Sequence, residues 1–173
     1  MQLPVKSLCT VLAITLATLA LPATATNFEI EAGRSYSNSH GTDAVFFEGV
    51  LDPYQIGSSR FSWEPDVSLG WINGRNLYEN HIEGENTRQN AFLLGAGARL
   101  QYGDQGDWYR HLFLSFQPTY NTGRTPALSS ALEFASTLGV QVGQFSLRLR
   151  HISNASIHEP NRGETMALVG FSF

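Results

Sequence analysis

The sequence predicts an all-β protein, an eight-stranded antiparallel transmembrane β-barrel, from three observations. From Asn27 onward apolar residues mostly recur at every second position, the strand period, and helical spacing is scarce. About eight such segments follow one another, at 27-36, 43-52, 62-72, 90-102, 108-120, 129-142, 144-153 and 164-173. Each is near or above the roughly 9 to 11 residues that a tilted membrane strand requires. One parity is greasy and the other polar or small, the pattern of a barrel with lipid outside and a polar lumen.

Ahead of the first strand lie one lysine, Lys6, an apolar run at about 8-21, and an Ala23-Thr24-Ala25 pattern. This reads as a secretory signal peptide, 1-25, cut after Ala25. The run is shorter than the roughly 20 residues of a spanning helix, so a membrane anchor is rejected. Removing 25 of 173 residues leaves 148, one barrel domain over 26-173. The single cysteine, Cys9, goes with the leader, which excludes disulfides and thiol chemistry from the mature chain. A formal charge of -4 without a basic cluster argues against nucleic acid as a partner.

Strand by strand, the alternation assigns faces. In 27-36, Phe28, Ile30 and Ala32 oppose Glu29 and Glu31. In 62-72, Trp63, Val67, Leu69 and Trp71 oppose Ser62, Glu64, Asp66, Ser68 and Gly70. Trp63 and Trp71, eight positions apart, lie about 26 Å apart at strand rise, the separation of two aromatic girdles. In 90-102, Phe92, Leu94, Ala96, Ala98, Leu100 and Tyr102 oppose Gly95, Gly97, Arg99 and Gln101. In 144-153, Phe145, Leu147 and Leu149 oppose Ser146, Arg148 and Arg150; in 164-173, Thr165, Ala167, Val169, Phe171 and Phe173 keep step.

Short connections at 103-107 and around Gly143 alternate with long ones at 73-89, 121-128 and 154-163, although 53-61 is long for an inner turn. With the N-terminus periplasmic, the long loops all fall outside. An eight-stranded lumen is only wide enough for side chains to fill it, which excludes a transport pore. Inward Glu29, Glu31, Glu64, Asp66, Arg99, Arg148 and Arg150 are expected to pair there.

The stretch RHISNASIHEPNRGET, 150-165, carries the chemistry. His151 and Ser153 continue the parity of Phe145, Leu147 and Leu149, so they point outward at the extracellular end of their strand. Residues two apart on a strand share a face with alpha carbons about 6.7 Å apart, within reach of an imidazole for a hydroxyl. A serine needs a base to take its proton, and the base works best when an acid holds its other nitrogen. The candidate acid is Glu164 at the top of the last strand, with Glu159 in reserve. Asn154 is the candidate oxyanion donor. His40, His81, His111 and His158 look isolated, and no zinc spacing, phosphate loop or nucleotide fingerprint occurs.

The run HISNASIHEPNRGE resembles the signature of the outer-membrane lipid A 3-O-deacylases of PagL type, approximately His-x-Ser-Asn-Ala, a few residues, then Pro-Asn-x-Gly-x-Glu. His151, Ser153, Asn154, Ala155, Pro160, Asn161 and Gly163 fit it. The C-terminal LVGFSF similarly resembles the recognition signal of outer-membrane barrels. The resemblance implies a Ser-His-Glu triad that hydrolyses the ester-linked acyl chain at position 3 of lipid A, with lipopolysaccharide as substrate, outer-membrane lipids as surroundings, and no metal or organic cofactor.

In one respect the chain departs from the pattern. Glu164 follows Gly163 directly, and Thr165 occupies the place of the glutamate. Counted back from Phe173, Thr165 points outward and Glu164 inward, and a bulge in the last strand or loop backbone at Gly163 would be needed to restore the outward aim. The alternative reading is a non-enzymatic small barrel that binds partners through its outer loops. An acyltransferase or phospholipase using the same nucleophile is a third, and the sequence leaves a homodimer open.

Overall fold

The structure, a computed structural model, describes residues 25–37, 40–75, 89–159 and 161–173. The leader expected over 1-25 therefore lies, but for its last residue, outside the described residues, as do His81 and most of the loop at 73-89. The strands are β1 (Ala25–Ser37), β2 (His40–Leu51), β3 (Tyr54–Gln55), β4 (Phe61–Ile72), β5 (Ala91–Tyr102), β6 (Leu112–Asn121), β7 (Leu132–Val142), β8 (Phe145–Ser153) and β9 (Glu164–Ser172). Antiparallel ladders run from β1 to β2, β2 to β4, and onward in sequence to β9, which pairs back onto β1. Eight strands thus close into a barrel with no free edge, which removes the template that open sheets offer for aggregation.

Closure fixes register, and register fixes faces. β8 alternates exposed Phe145, Leu147, Leu149 and His151 with buried Ser146, Arg148, Arg150 and Ile152. β9 does the same, with Thr165, Ala167, Val169 and Phe171 outward. Leu69, Phe92, Leu94, Leu114, Leu138, Leu147 and Val169 all lie exposed on the outer surface. So large a continuous apolar surface suits contact with hydrocarbon and would be a liability in water. Among the described residues no helix is long and apolar enough to cross a membrane, which says nothing against crossing by strands.

The lumen is filled by charge. Arg99 donates to both oxygens of Glu29 at 3.1 and 2.7 Å, and Arg148 donates to Glu31 at 2.6 Å and Glu48 at 2.5 Å. Arg150 lies 3.4 Å from Glu48 and 3.3 Å from Glu31, with its guanidinium over the Phe46 ring. Glu29, Glu31 and Glu48 bring oxygens within 4.8 Å of one another, but three guanidinium groups already compensate them. The expected internal pairing is therefore present with two adjustments. Glu64 is only half-buried, and Glu48, unassigned from sequence, sits at the centre of the network.

Several strand boundaries differ from the sequence reading, and β2 begins at His40, three residues before the expected 43. Residues 108–111 form a 3-10 turn, its start fixed where the Arg110 amide donates to the Asp107 carbonyl at 3.1 Å, and β6 begins only at Leu112. Residues 129–131 belong to a loop whose Ala127 and Leu128 are fully buried in the hydrophobic cluster at the upper mouth, with Ile72, Ala91, Ile152 and Met166. The long turn after β2 accommodates its length by pairing Tyr54 and Gln55 with Trp63 and Ser62.

Candidate active site

β8 and β9 carry the site to the upper rim, the end opposite the one where β1 begins and β9 finishes. Their ladder is regular to its last rung, pairing Arg150 with Met166, His151 with Thr165 and Ile152 with Glu164. On the other side, β7 sets Ser136 beside His151 and Phe134 beside Ser153. His151 is exposed on the outer face and Ser153, two residues on, is half-buried on the same face. The structure thus places the candidate base and nucleophile where strand parity sends them.

His151 is held at one nitrogen. Its Nδ1 lies 2.9 Å from Thr165 Oγ1 directly across the ladder. The far edge of the ring sits under Gly163, whose φ is +67°, a region that side chains disfavour. A β-carbon at position 163 would stand 2.8 Å from His151 Cε1 and 3.1 Å from Nε2. Gly163 is therefore demanded twice, by its backbone conformation and by the space the imidazole occupies. With Nδ1 engaged by Thr165, the edge of the imidazole that carries Cε1 and Nε2 faces Gly163, the residue just before β9 begins.

Glu164 is not brought to His151. No bulge interrupts β9, so one residue of offset from Thr165 sends the side chain through the wall to the lumen. There it is 2 % exposed, accepts from Ser35 Oγ at 2.5 Å, and pairs with Arg75 at 2.8 Å. Ile72, Asn73, Gln89, Ala91 and Thr125 complete its small enclosure. Glu159, the reserve acid, is exposed in the β8–β9 loop and accepts from the Asn161 amide at 3.2 Å.

Asn154 is fully buried and committed to the loops. Its Nδ2 donates to Ser129 Oγ at 3.1 Å and to the His158 carbonyl at 2.8 Å, so both amide hydrogens are used, while its Oδ1 is without a hydrogen-bond partner among the described residues. The next two residues, Ala155 and Ser156, have φ of 53° and 61°, and the Ile157 amide closes the turn onto the Asn154 carbonyl at 3.1 Å. Two consecutive side-chain-bearing residues in the left-handed region store strain that the surrounding bonds must hold. Ser129 and the Ala127 carbonyl, which accepts from Gly163 at 3.0 Å, tie the β6–β7 loop to this turn. Sequence reading missed the Ser129 contact because it ran a strand through 129-142, and the Ala127 contact because it joins two loops that no strand pattern relates.

A closed antiparallel barrel of eight strands with a polar, side-chain-filled lumen and an apolar outer wall defines the class of small outer-membrane barrels. A family model for lipid A 3-O-deacylase (PagL) matches residues 54–173, and the chain belongs to that family. The family's reaction is the hydrolysis of an ester in lipid A.

Among solved structures, the crystal structure of the outer membrane enzyme PagL superposes with a TM-score of 0.54 at 15% identity, covering 86% of this chain and 99% of that one. It shares the fold. The Yersinia pestis outer membrane protein Ail in a phospholipid nanodisc gives 0.45 at 11% identity, over 85% of this chain and 99% of Ail. Neisserial surface protein A gives 0.40 at 11%, over 85% and 95%. No curated protein sequence matches the chain.

Proposed function

We propose that this protein is a lipid A 3-O-deacylase, a serine esterase of the outer membrane that hydrolyses the ester-linked acyl chain at position 3 of lipid A. The observation that carries this reading is the outward pair on β8, His151 and Ser153, at the loop-bearing rim of a lipid-facing wall. Lipid A sits in the outer leaflet with its ester bonds near headgroup level. A nucleophile on the outer face of the barrel meets such an ester laterally, without extracting the lipid from the membrane.

In this mechanism Ser153 Oγ attacks the acyl carbonyl as His151 Nε2 takes its proton. The tetrahedral intermediate collapses, the C–O bond to the sugar breaks, and His151 returns the proton to the departing hydroxyl. Water, activated by the same imidazole, then attacks the acyl-serine; the fatty acid leaves and Ser153 recovers its proton. Every step is balanced by the two side chains and one water.

The test uses purified, refolded barrel and lipid A in detergent micelles, with release of 3-hydroxy fatty acid as the readout. Ser153→Ala and His151→Ala should each lose about 10³-fold or more in turnover. Full turnover in either variant would contradict the reading.

A further inference from the structure

We infer that Thr165 is the positioning residue of His151, a hydroxyl that does in this chain the orienting work usually given to a carboxylate. The inference rests on the deacylase reading and deepens it. Thr165 Oγ1 stands 2.9 Å from His151 Nδ1, and the two residues are direct partners in an uninterrupted ladder. Threonine is β-branched and stiff at χ1, so a strand position holds its hydroxyl in place at little entropic cost.

Among the described residues no carboxylate forms an ion pair with His151. Glu164 faces the lumen on Arg75 and Ser35, Glu133 is buried on the lumen face of β7 and bonded to Ser130, and Glu159 holds the Asn161 amide. Turning Glu164 outward by a register slip would turn Met166 and Leu168, both buried, out of the lumen as well.

A hydroxyl accepting from Nδ1–H fixes the tautomer that leaves Nε2 free as the base. It stabilises the imidazolium of the transition state less than an ion would, since a neutral hydrogen bond is roughly half as strong as a charge-assisted one. Thr165 therefore aims the ring while supplying little charge stabilisation.

The experiment measures kcat and KM on lipid A micelles for the refolded full-length barrel, wild type beside Thr165→Val, Thr165→Ser and Ser153→Ala, each checked for the compact barrel by heat-modifiable electrophoretic mobility. Thr165→Val, which keeps the shape and removes the hydroxyl, should lower kcat about tenfold at unchanged KM. Thr165→Ser should recover most of that loss. Wild-type kcat in Thr165→Val, or a Thr165→Ser variant as slow as Thr165→Val, overturns the inference while an inactive Ser153→Ala leaves the deacylase reading standing. Turnover surviving in Ser153→Ala overturns both.

Discussion

The Arg75 guanidinium and the Glu164 carboxylate form an ion pair at 2.8 Å inside the upper mouth of the barrel, with the Ser35 hydroxyl as a second partner of the same oxygen. The pair is almost fully enclosed, so its partners depend on each other. Glu164→Gln should leave Arg75 as a largely unpaired buried cation and lower stability by about 3 kcal/mol, while kcat of the folded fraction stays near wild type. Urea unfolding of the barrel in detergent, followed by tryptophan fluorescence, gives the first quantity and initial rates the second. A large fall in kcat at unchanged stability would put the carboxylate at the catalytic site instead.

A carboxylate moved to the outer face should help. Thr165→Glu sets an acid at the ladder position opposite His151, the spacing at which the family pattern has its glutamate. Replacing a neutral partner of Nδ1 by an ion should raise kcat about tenfold, one step of 1.4 kcal/mol on the barrier. Steady-state rates on lipid A micelles check it, and a fall below wild type would show that position 165 does not aim at the ring.

Much of this site was legible in the sequence, for a reason that holds strand by strand. In β8 the alternation of Phe145, Leu147 and Leu149 with Ser146, Arg148 and Arg150 leaves one choice of face, and His151 and Ser153 follow from it. The same counting sends Glu164 inward, and the unbroken β8–β9 ladder keeps it there. β2 offers no such contrast. Val45, Phe46 and Phe47 are apolar on both parities, so nothing local assigns Glu48 to the lumen.

The packing of the rim was not legible, because it depends on contacts between loops. Ala127 and Leu128 close the mouth and Ser129 meets Asn154, residues 25 positions away. Period-two patterning sees only neighbours on one strand. The donor role expected of Asn154 likewise competes with two bonds that only the folded loops create.

Gly163→Ala should be costly out of proportion to one methyl group. A φ of +67° strains any L side chain by about 1–2 kcal/mol, and the new β-carbon would press on the imidazole at 2.8 Å. The ring must shift from the place where Thr165 holds it, so kcat should fall more than tenfold in a barrel that still folds. Heat-modifiable mobility reports the barrel and fatty-acid release the rate; unchanged turnover would show that the ring orientation is not needed.

Asn154→Ala should loosen the rim. It removes the donor shared by Ser129 and the His158 carbonyl, which keep their bond to each other at 3.2 Å, a loss of about 1 kcal/mol. Limited proteolysis should then cut within 122–131 or 155–162 faster than in wild type, with the strands protected. Unchanged cleavage together with lost activity would instead assign the amide to the oxyanion.

The most direct measurement is mass spectrometry of lipid A from a Gram-negative host expressing the wild-type chain, Ser153→Ala or an empty vector. The account expects lipid A lighter by one 3-hydroxyacyl group with the wild type alone, while Ser153→Ala accumulates in the outer membrane as a folded barrel and leaves lipid A intact. Identical lipid A in all three, with both proteins folded in the membrane, would contradict the deacylase reading.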